Sequence, residues 1–331
     1  MLPEHIEFLL KAGHMAPSAD NSQPWEFSWD GKYLTIMIST TRCNTGVFDS
    51  NHPAISLALG AVIENIDQAA SSAGFNIEWN VGSLYDSNEP LLIRGEIEYL
   101  NSEIQTPSTH PLFDRHTNRH PFKKDALPND LLNELANMTT DGSSLVIIDD
   151  ENVIGETARL INDASKVRFR MKELHEWLFS TLRFTPEQVN QGDGLDVGTL
   201  HLPPGGRLLL KSVEKWETME RLNKLGIFRM FSAIEANLFR QAGAIICVVQ
   251  DSPSSSAILS GRLMERAWIK LNKAGIAVHP YFVLTDLLYR LSEGSIPTFL
   301  EDEAQALKMR AAEILGIDDN RIMMLLRAGY A

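Results

Sequence analysis

Apolar residues at Ile6, Leu9, Leu10 and Met15 follow a helical period, which predicts a helix over 4–15 that must stop before Pro17. Trp25–Trp29 and Tyr33–Ile38 are β-prone runs joined through Asp30-Gly31, a strong hairpin signal. Asp49-Ser50-Asn51, with Pro53 just inside, reads as a helix start. From there Ile55, Leu59, Val62, Ile63, Ile66 and Ala70 form a broad apolar stripe that ends at Gly74. Such a helix should be long and mostly buried. Strands are predicted at 77–79 and 91–99, the second with good alternation.

The segment from Pro107 to Pro121 is irregular and polar. A helix at 131–138, a strand at 144–149 and a charged helical stretch over 153–182 follow. Residues 191–206 are too rich in Gly and Pro to be regular, and the wider stretch Phe184–Gly206 is either a lid loop or a surface loop unrelated to any site. Helical patterning resumes over 207–224 and 228–240. Ala244–Val249 is a continuous apolar run expected to form a buried strand. Ser254-Ser255-Ser256 should cap a helix over 257–274 that ends at Gly275. An extended run over 276–281, a helix at 301–315 and the segment Met323–Tyr330 complete the chain. The aromatics Trp177, Phe179, Phe184, Phe228, Phe231 and Phe239 read as helix core.

Composition narrows the function classes. The chain has 331 residues and a formal charge of −13, which disfavours binding to nucleic acid or an anionic membrane surface. Its two cysteines, Cys43 and Cys247, fit no disulfide or metal framework and point to a reducing, cytoplasmic setting. Neither a basic N-terminal leader nor a long apolar span is visible, so an unprocessed, soluble protein is expected.

Self-similarity adds organisation. A shift of 201 residues brings Gly60 onto Gly261, Glu64 onto Glu265 and Ala73-Gly74 onto Ala274-Gly275. Apolar positions Leu57, Val62, Ile63, Phe75 and Ile77 then meet Ile258, Leu263, Met264, Ile276 and Val278. Shared helix chemistry is the plainer account of four identities in this stretch, and duplication the other.

Two stretches carry candidate chemistry. In Ala16-Pro17-Ser18-Ala19-Asp20-Asn21-Ser22-Gln23-Pro24-Trp25-Glu26-Phe27, prolines fix the backbone around short polar side chains able to hydrogen-bond a heteroaromatic edge. A polar turn entering a strand is the alternative. In Arg115-His116-Thr117-Asn118-Arg119 two guanidinium groups and a hydroxyl could cradle a phosphate, or simply form a solvated basic turn.

The first stretch resembles the Ala-Pro-Ser-x-x-Asn-x-Gln-Pro-Trp-x-Phe signature of the FMN-dependent nitroreductase family at every fixed position. The second is similar to that family's Arg-x-Ser/Thr-x-Arg/Lys phosphate grip. The resemblance implies an α+β nitroreductase-like fold, here internally duplicated as a single-chain pseudo-dimer similar to the Acg-type mycobacterial branch. The implied halves are 1–105, with the signature loop and a long helix, and 106–331, with the phosphate grip, lid loop and second long helix. In family dimers the two motifs come from opposite subunits, so one chain is expected to supply both.

The implied cofactor is FMN, with Pro17, Ser18, Ala19, Asn21, Gln23, Arg115, His116, Thr117, Arg119, Pro280, Tyr281 and Arg327 as binding positions. Gly275–Tyr281 resembles the segment that passes the flavin ring, and Met324–Tyr330 the family's terminal segment. Ordinary members continue to further basic residues, so either Arg327 substitutes for these or Arg115 and Arg119 alone hold the phosphate. No side chain is expected to be catalytic, since the flavin carries the redox chemistry. NADH or NADPH would give hydride in a ping-pong scheme, and a nitroaromatic or quinone-like acceptor would receive it. A monomeric pseudo-dimer or a homodimer is expected. The alternatives are a non-catalytic flavin-sequestering protein, or a decayed site serving as an interaction module.

Other chemistries find little support. His110, His116 and His120 are interrupted by Pro111 and Pro121 and lack carboxylate companions, so no metal site is expected. Gly192, Gly194 and Gly198 follow no strand and have the wrong spacing for a dinucleotide fingerprint. Neither a nucleophile elbow nor a Walker loop is present.

Overall fold

The computed structural model describes residues 3–43, 47–81, 92–99, 110–252, 255–317 and 321–331. It has the mixed helix and sheet content of the expected α+β class. Expectations for Leu91, for 107–109 and for Ser254 of the serine cap lie outside the described residues. Packing divides the chain into two units, Met1–Arg115 with Ala257–Lys273, and His116–Ser256 with Ala274–Ala331. The sequence boundary between 105 and 106 lies outside the described residues. The helix Ala257–Lys273, placed by sequence in the second half, belongs to the first unit because it packs directly on the helix Pro53–Ser72.

In the first unit the hairpin forms as its turn residues dictate. Trp25–Trp29 pairs antiparallel with Tyr33–Ile38, Trp29 opposite Leu34. Asp30 Oδ1 accepts from the N–H groups of Lys32 at 2.9 Å and Tyr33 at 2.8 Å, while Gly31 takes the left-handed turn position at φ 99°. Leu92–Tyr99 pairs with Tyr33–Ile38 on one side and Phe75–Val81 on the other, completing a four-stranded antiparallel sheet.

Helix Pro53–Ser72 packs on Phe75–Val81, on helix Pro3–His14 and on helix Ala257–Lys273. Every residue from Ala54 to Ile66 is therefore buried, the polar Ser56, Glu64 and Asn65 included. Its N-cap is His52, between the expected start at Asp49-Ser50-Asn51 and Pro53, and His52 Nδ1 accepts from Ala54 N–H at 3.2 Å. The two long helices touch backbone to backbone: a Cβ on Gly60 would lie 2.0 Å from Ile258 O, and one on Gly261 would lie 2.2 Å from Leu57 O. These contacts are reciprocal under the 201-residue shift, since Leu57 and Gly60 correspond to Ile258 and Gly261.

The second unit is built on a five-stranded antiparallel sheet in the spatial order Ala277–Tyr281, Ile322–Gly329, Ala244–Gln250, Ser143–Ile148, Thr139–Thr140. Ala244–Gln250 and Ile322–Gly329 are buried at every position, which matches the continuous apolar run read at 244–249. Helix Glu151–Arg168 starts at Asp150, whose Oδ1 accepts from the N–H groups of Asn152 and Val153. It packs on Ile227–Arg240 and Glu301–Leu315.

Several boundaries depart from the pattern. The stretch 153–182 is two helices, Glu151–Arg168 and Lys172–Thr181, and Asn223 Nδ2 donates to the released Phe169 O at 2.9 Å. The stretch 207–224 breaks around buried Val213 into Gly206–Ser212 and Trp216–Lys224. Helix Val283–Ser292 was not read from the sequence at all. Residues 191–206 hold no long element, only the two-residue strand Leu195–Asp196 and a 3-10 turn, as their Gly and Pro content predicts; the wider 184–206 segment is locally ordered. It holds a short helix, Pro186–Val189, closed by a reciprocal Thr185–Gln188 capping box. Arg183 Nη2 pairs with Asp193 at 3.0 Å, and the Asp196 carboxylate caps the 3-10 turn Val197–Leu200. Local side-chain to backbone bonds replace the ladder that Gly and Pro deny this stretch. Among the described residues no helix is long and apolar enough to cross a membrane.

Candidate functional site

The candidate residues fall in both units, and each group is organised within its own. In the first unit, Pro17, Ser18, Ala19, Asn21 and Gln23 lie half-buried on the loop between helix Pro3–His14 and strand Trp25–Trp29. Asp20, Asn21 and Gln23 all have left-handed backbones, at φ 47°, 56° and 47°. Asp and Asn tolerate that region; Gln is less suited to it, and each such residue stores strain that the surroundings must hold.

The holding bonds are local. Ser18 Oγ accepts from Gln23 N–H at 2.9 Å, and Arg42 Nη1 donates to Gln23 O at 2.9 Å. The Gln23 side chain also hydrogen-bonds His14, whose pKa is lowered by burial despite that bond. Beyond the loop, the Trp25 indole is buried, and its N–H finds no acceptor among the described residues. Replacing Ser18 by alanine removes the acceptor that ties the loop across five residues. It should cost about 1 kcal/mol of stability, read from the shift of the denaturant midpoint.

Arg115, also in the first unit, is buried and turned inward. Its Nε lies 2.8 Å from Glu265 Oε1, an ion pair outside good hydrogen-bond alignment. Its Nη2 donates to Met15 O at 2.7 Å, one residue before the signature begins. Its guanidinium also sits 4.6 Å from the Trp268 ring centroid. The arginine expected to open a phosphate grip is thus engaged by a buried carboxylate and a backbone carbonyl.

The helix pair explains why an arginine is needed there. Glu64 is met by Arg266, with Nε to Oε1 at 2.8 Å and Nη2 to Oε2 at 2.9 Å. Burial alone would raise the Glu64 pKa, but Arg266 and its companions hold the carboxyl below its ordinary range. Under the internal shift Glu64 corresponds to Glu265 and Arg266 to Asn65, so Glu265 faces an amide where its counterpart faces a cation. Arg115 fills that role from the loop, and burial still pushes the Glu265 carboxyl up to about 7. The repeat had marked Glu64 and Glu265 in the sequence, without saying what they bind.

In the second unit, His116 is exposed and Thr117 and Arg119 are half-buried. Asn118 N–H donates to Val278 O at 2.8 Å, which ties this segment to strand Ala277–Tyr281. Pro280 stands opposite Leu326 in the sheet. The Tyr281 hydroxyl is directed into the unit: it lies 2.8 Å from Ser165 Oγ and donates to Ile161 O at 3.3 Å. Burial drives the Tyr281 pKa well above that of an ordinary phenol.

Arg327 is fully buried. Its Nε donates to His279 Nδ1 at 3.0 Å, its Nη2 donates to His120 O at 2.9 Å, and its guanidinium lies 4.0 Å from the Phe122 ring centroid. No carboxylate pairs with it among the described residues, and burial lowers its pKa to about 10. His120 and His201 bring their rings into contact beside Arg119, and the His201 pKa is lowered by burial and by those two neighbours. His279 and His201 were not read from the sequence as site residues; the only available signal was their place in segments already singled out.

Among the described residues no group of His, Cys, Asp and Glu could hold a metal ion. Both thiols are free and buried, and burial pushes Cys43 up to about 11 and Cys247 to about 12. Thiols so protonated are poor nucleophiles.

No known protein-family model matches the chain. It is 25% identical over 285 residues to the uncharacterised protein MT1398 of Mycobacterium tuberculosis, an alignment covering 83% of this chain. The chain spans 38% of the length of that curated relative. Among solved structures it is similar to the FMN-dependent nitroreductase NfnB from Mycobacterium smegmatis in complex with NADPH. That match has 14% identity and a TM-score of 0.38, over 67% of this chain and 86% of the other. It is also similar to a nitroreductase with bound FMN from Bacteroides fragilis, at 12% identity and a TM-score of 0.34, over 67% and 89%.

Proposed function

We propose that the chain is an FMN-dependent NAD(P)H oxidoreductase of the nitroreductase kind, acting on nitroaromatic or quinone-like acceptors. The observation that carries the reading is the loop 16–27. It matches the family signature at every fixed position, and it is held with three non-glycine residues in left-handed backbone. Strain of this sort concentrates at ligand sites. The orphaned Trp25 N–H fits a site built for a polar ligand. When bound, FMN would supply the hydride-transfer chemistry.

The chain's own residues would bind and orient it. Ser18, Asn21 and Gln23 offer short polar groups on a fixed backbone, and Thr117 and Arg119 offer phosphate donors. With Arg115 engaged at Glu265, the phosphate falls chiefly to Thr117, Arg119 and the field of buried Arg327. The 184–206 segment is proposed as cover for the ring. The reciprocal contact of Gly60 and Gly261 supports an origin by internal duplication. The free, buried thiols fit a reducing compartment.

Titration of flavin-free protein should give about one FMN per chain, a visible flavin spectrum, and bleaching on anaerobic addition of NADH or NADPH. A spectrum that neither nucleotide bleaches would make the protein a flavin store rather than an oxidoreductase. A colourless protein that takes up no FMN would overturn the reading.

A further inference from the structure

The second unit contains a buried cation whose partners are all uncharged. Arg327 has no carboxylate partner among the described residues, and its donors go to His279 Nδ1, His120 O, Leu238 O at 3.4 Å and Asn118 O at 3.5 Å. Burying a guanidinium without a counter-ion is costly.

The bond to His279 fixes a proton. Arginine nitrogens only donate, so Nδ1 of His279 must accept, and the neutral ring carries its hydrogen on Nε2. Strand pairing sets this arrangement, because His279 and Arg327 are directly opposite in the antiparallel ladder. His279 Nε2 makes no hydrogen bond among the described residues, and the residue as a whole is half-buried. The result is one N–H donor of defined direction, without a partner among the described residues and backed by a fixed positive charge. Protonation of the ring is opposed from both neighbouring elements: burial, Arg327 on strand Ile322–Gly329 and Arg119 on the preceding segment all hold the His279 pKa well below its ordinary value. Asn118, bonded through its N–H to Val278 O, keeps that segment beside the histidine's strand.

We infer that His279, locked by Arg327 as the neutral Nε2–H tautomer, is a specificity-determining hydrogen-bond donor for an electron-rich oxygen of the bound flavin nucleotide. This rests on the flavin reading above. A neutral donor backed by a cation favours an oxygen carrying negative charge without itself exchanging a proton near pH 7. Two groups of FMN offer such oxygens, the phosphate and the ring carbonyls, and the experiment separates them.

The test combines 15N NMR of histidine-labelled protein with binding measurements. At pH 7 the wild-type chain should show His279 with hydrogen on Nε2 and none on Nδ1, and the Nε2–H signal should shift on adding FMN. A shift with inorganic phosphate but not riboflavin places the acceptor on the phosphate; a shift with riboflavin places it on the ring. His279→Leu should weaken FMN about tenfold, the scale of one hydrogen bond to a charged group. His279→Gln, which keeps an N–H near the Nε2 position, should stay within about threefold on the same scale. Hydrogen on Nδ1, an Nε2–H signal that no ligand moves, or FMN affinity unchanged in a folded His279→Leu chain would each overturn the inference while leaving FMN binding intact. A wild-type chain that takes up no FMN would instead overturn the functional reading, and this inference with it.

Discussion

Replacing Gly60 with alanine should destabilise the first unit by roughly 3 kcal/mol, the upper part of the usual range for overpacking. The new methyl would lie 2.0 Å from Ile258 O and 2.8 Å from Arg262 N. Both are backbone atoms of a helix and cannot swing aside as a side-chain end would. Helices Pro53–Ser72 and Ala257–Lys273 must move apart, losing contact along their whole crossing. Gly261→Ala should cost about as much, since its methyl would lie 2.2 Å from Leu57 O.

The double replacement should cost clearly less than the sum, because one methyl already separates the backbones and the second enters space thereby opened. Urea unfolding of the two single variants and the double variant measures this coupling. Additive losses would mean that the two glycines do not share one crossing. Gly155→Ala provides the contrast: a Cβ there has no neighbour within 4 Å in the middle of helix Glu151–Arg168. It should raise stability by up to about 1 kcal/mol through helix propensity alone.

Glu265→Gln should leave stability near pH 4 almost unchanged and raise it above pH 8. The Glu265 carboxyl is buried, and burial pushes it from an ordinary 4.5 up to about 7, against the attraction of Arg115 and the nearby Asn65 amide and with some help from the charge of Glu64. The folded chain therefore binds more protons than the unfolded chain between these values. The stability this contributes is present below about pH 4.5 and is lost as pH rises through 7, roughly 3 kcal/mol in all. Glutamine copies the protonated acid in size and polarity and cannot ionise, so the variant escapes the loss.

Comparing unfolding free energies of wild type and variant across pH 4–9 gives the answer. A variant less stable than wild type above pH 8 would mean that the Arg115 ion pair outweighs the cost of burying the charge. Arg115→Met should push the carboxyl further up, because it removes the attraction that opposes burial. In that variant the loss of stability with rising pH should extend to higher pH than in the wild type.

Much of the architecture was legible because its causes are local. The Asp30-Gly31 turn, the stripe from Ile55 to Ala70 and the continuous apolar run at 244–249 are each set by residues within a few positions of one another. The same holds for the signature loop, where Pro17, Ser18 and Pro24 alone mark a constrained polar turn. The internal repeat was legible as a pattern, and it named Gly60, Gly261, Glu64 and Glu265 before their contact was known.

What only the tertiary structure decided depends on partners far apart in the chain. Arg115 reads as a phosphate ligand from its neighbours in sequence, yet Glu265, 150 positions away, and Trp268 hold its guanidinium inside the unit. The helical stretch 153–182 breaks at Phe169, whose carbonyl is satisfied by Asn223 from 54 positions away, and no periodicity near residue 169 records that. His279 looks like one polar residue on a strand until sheet register sets it opposite Arg327. Local turns, caps and apolar periods follow from short-range sterics and burial, which a sequence carries openly. The pairing of buried charges and the tautomer of a histidine are fixed by whichever strand or helix arrives alongside, and that is settled only when the chain folds.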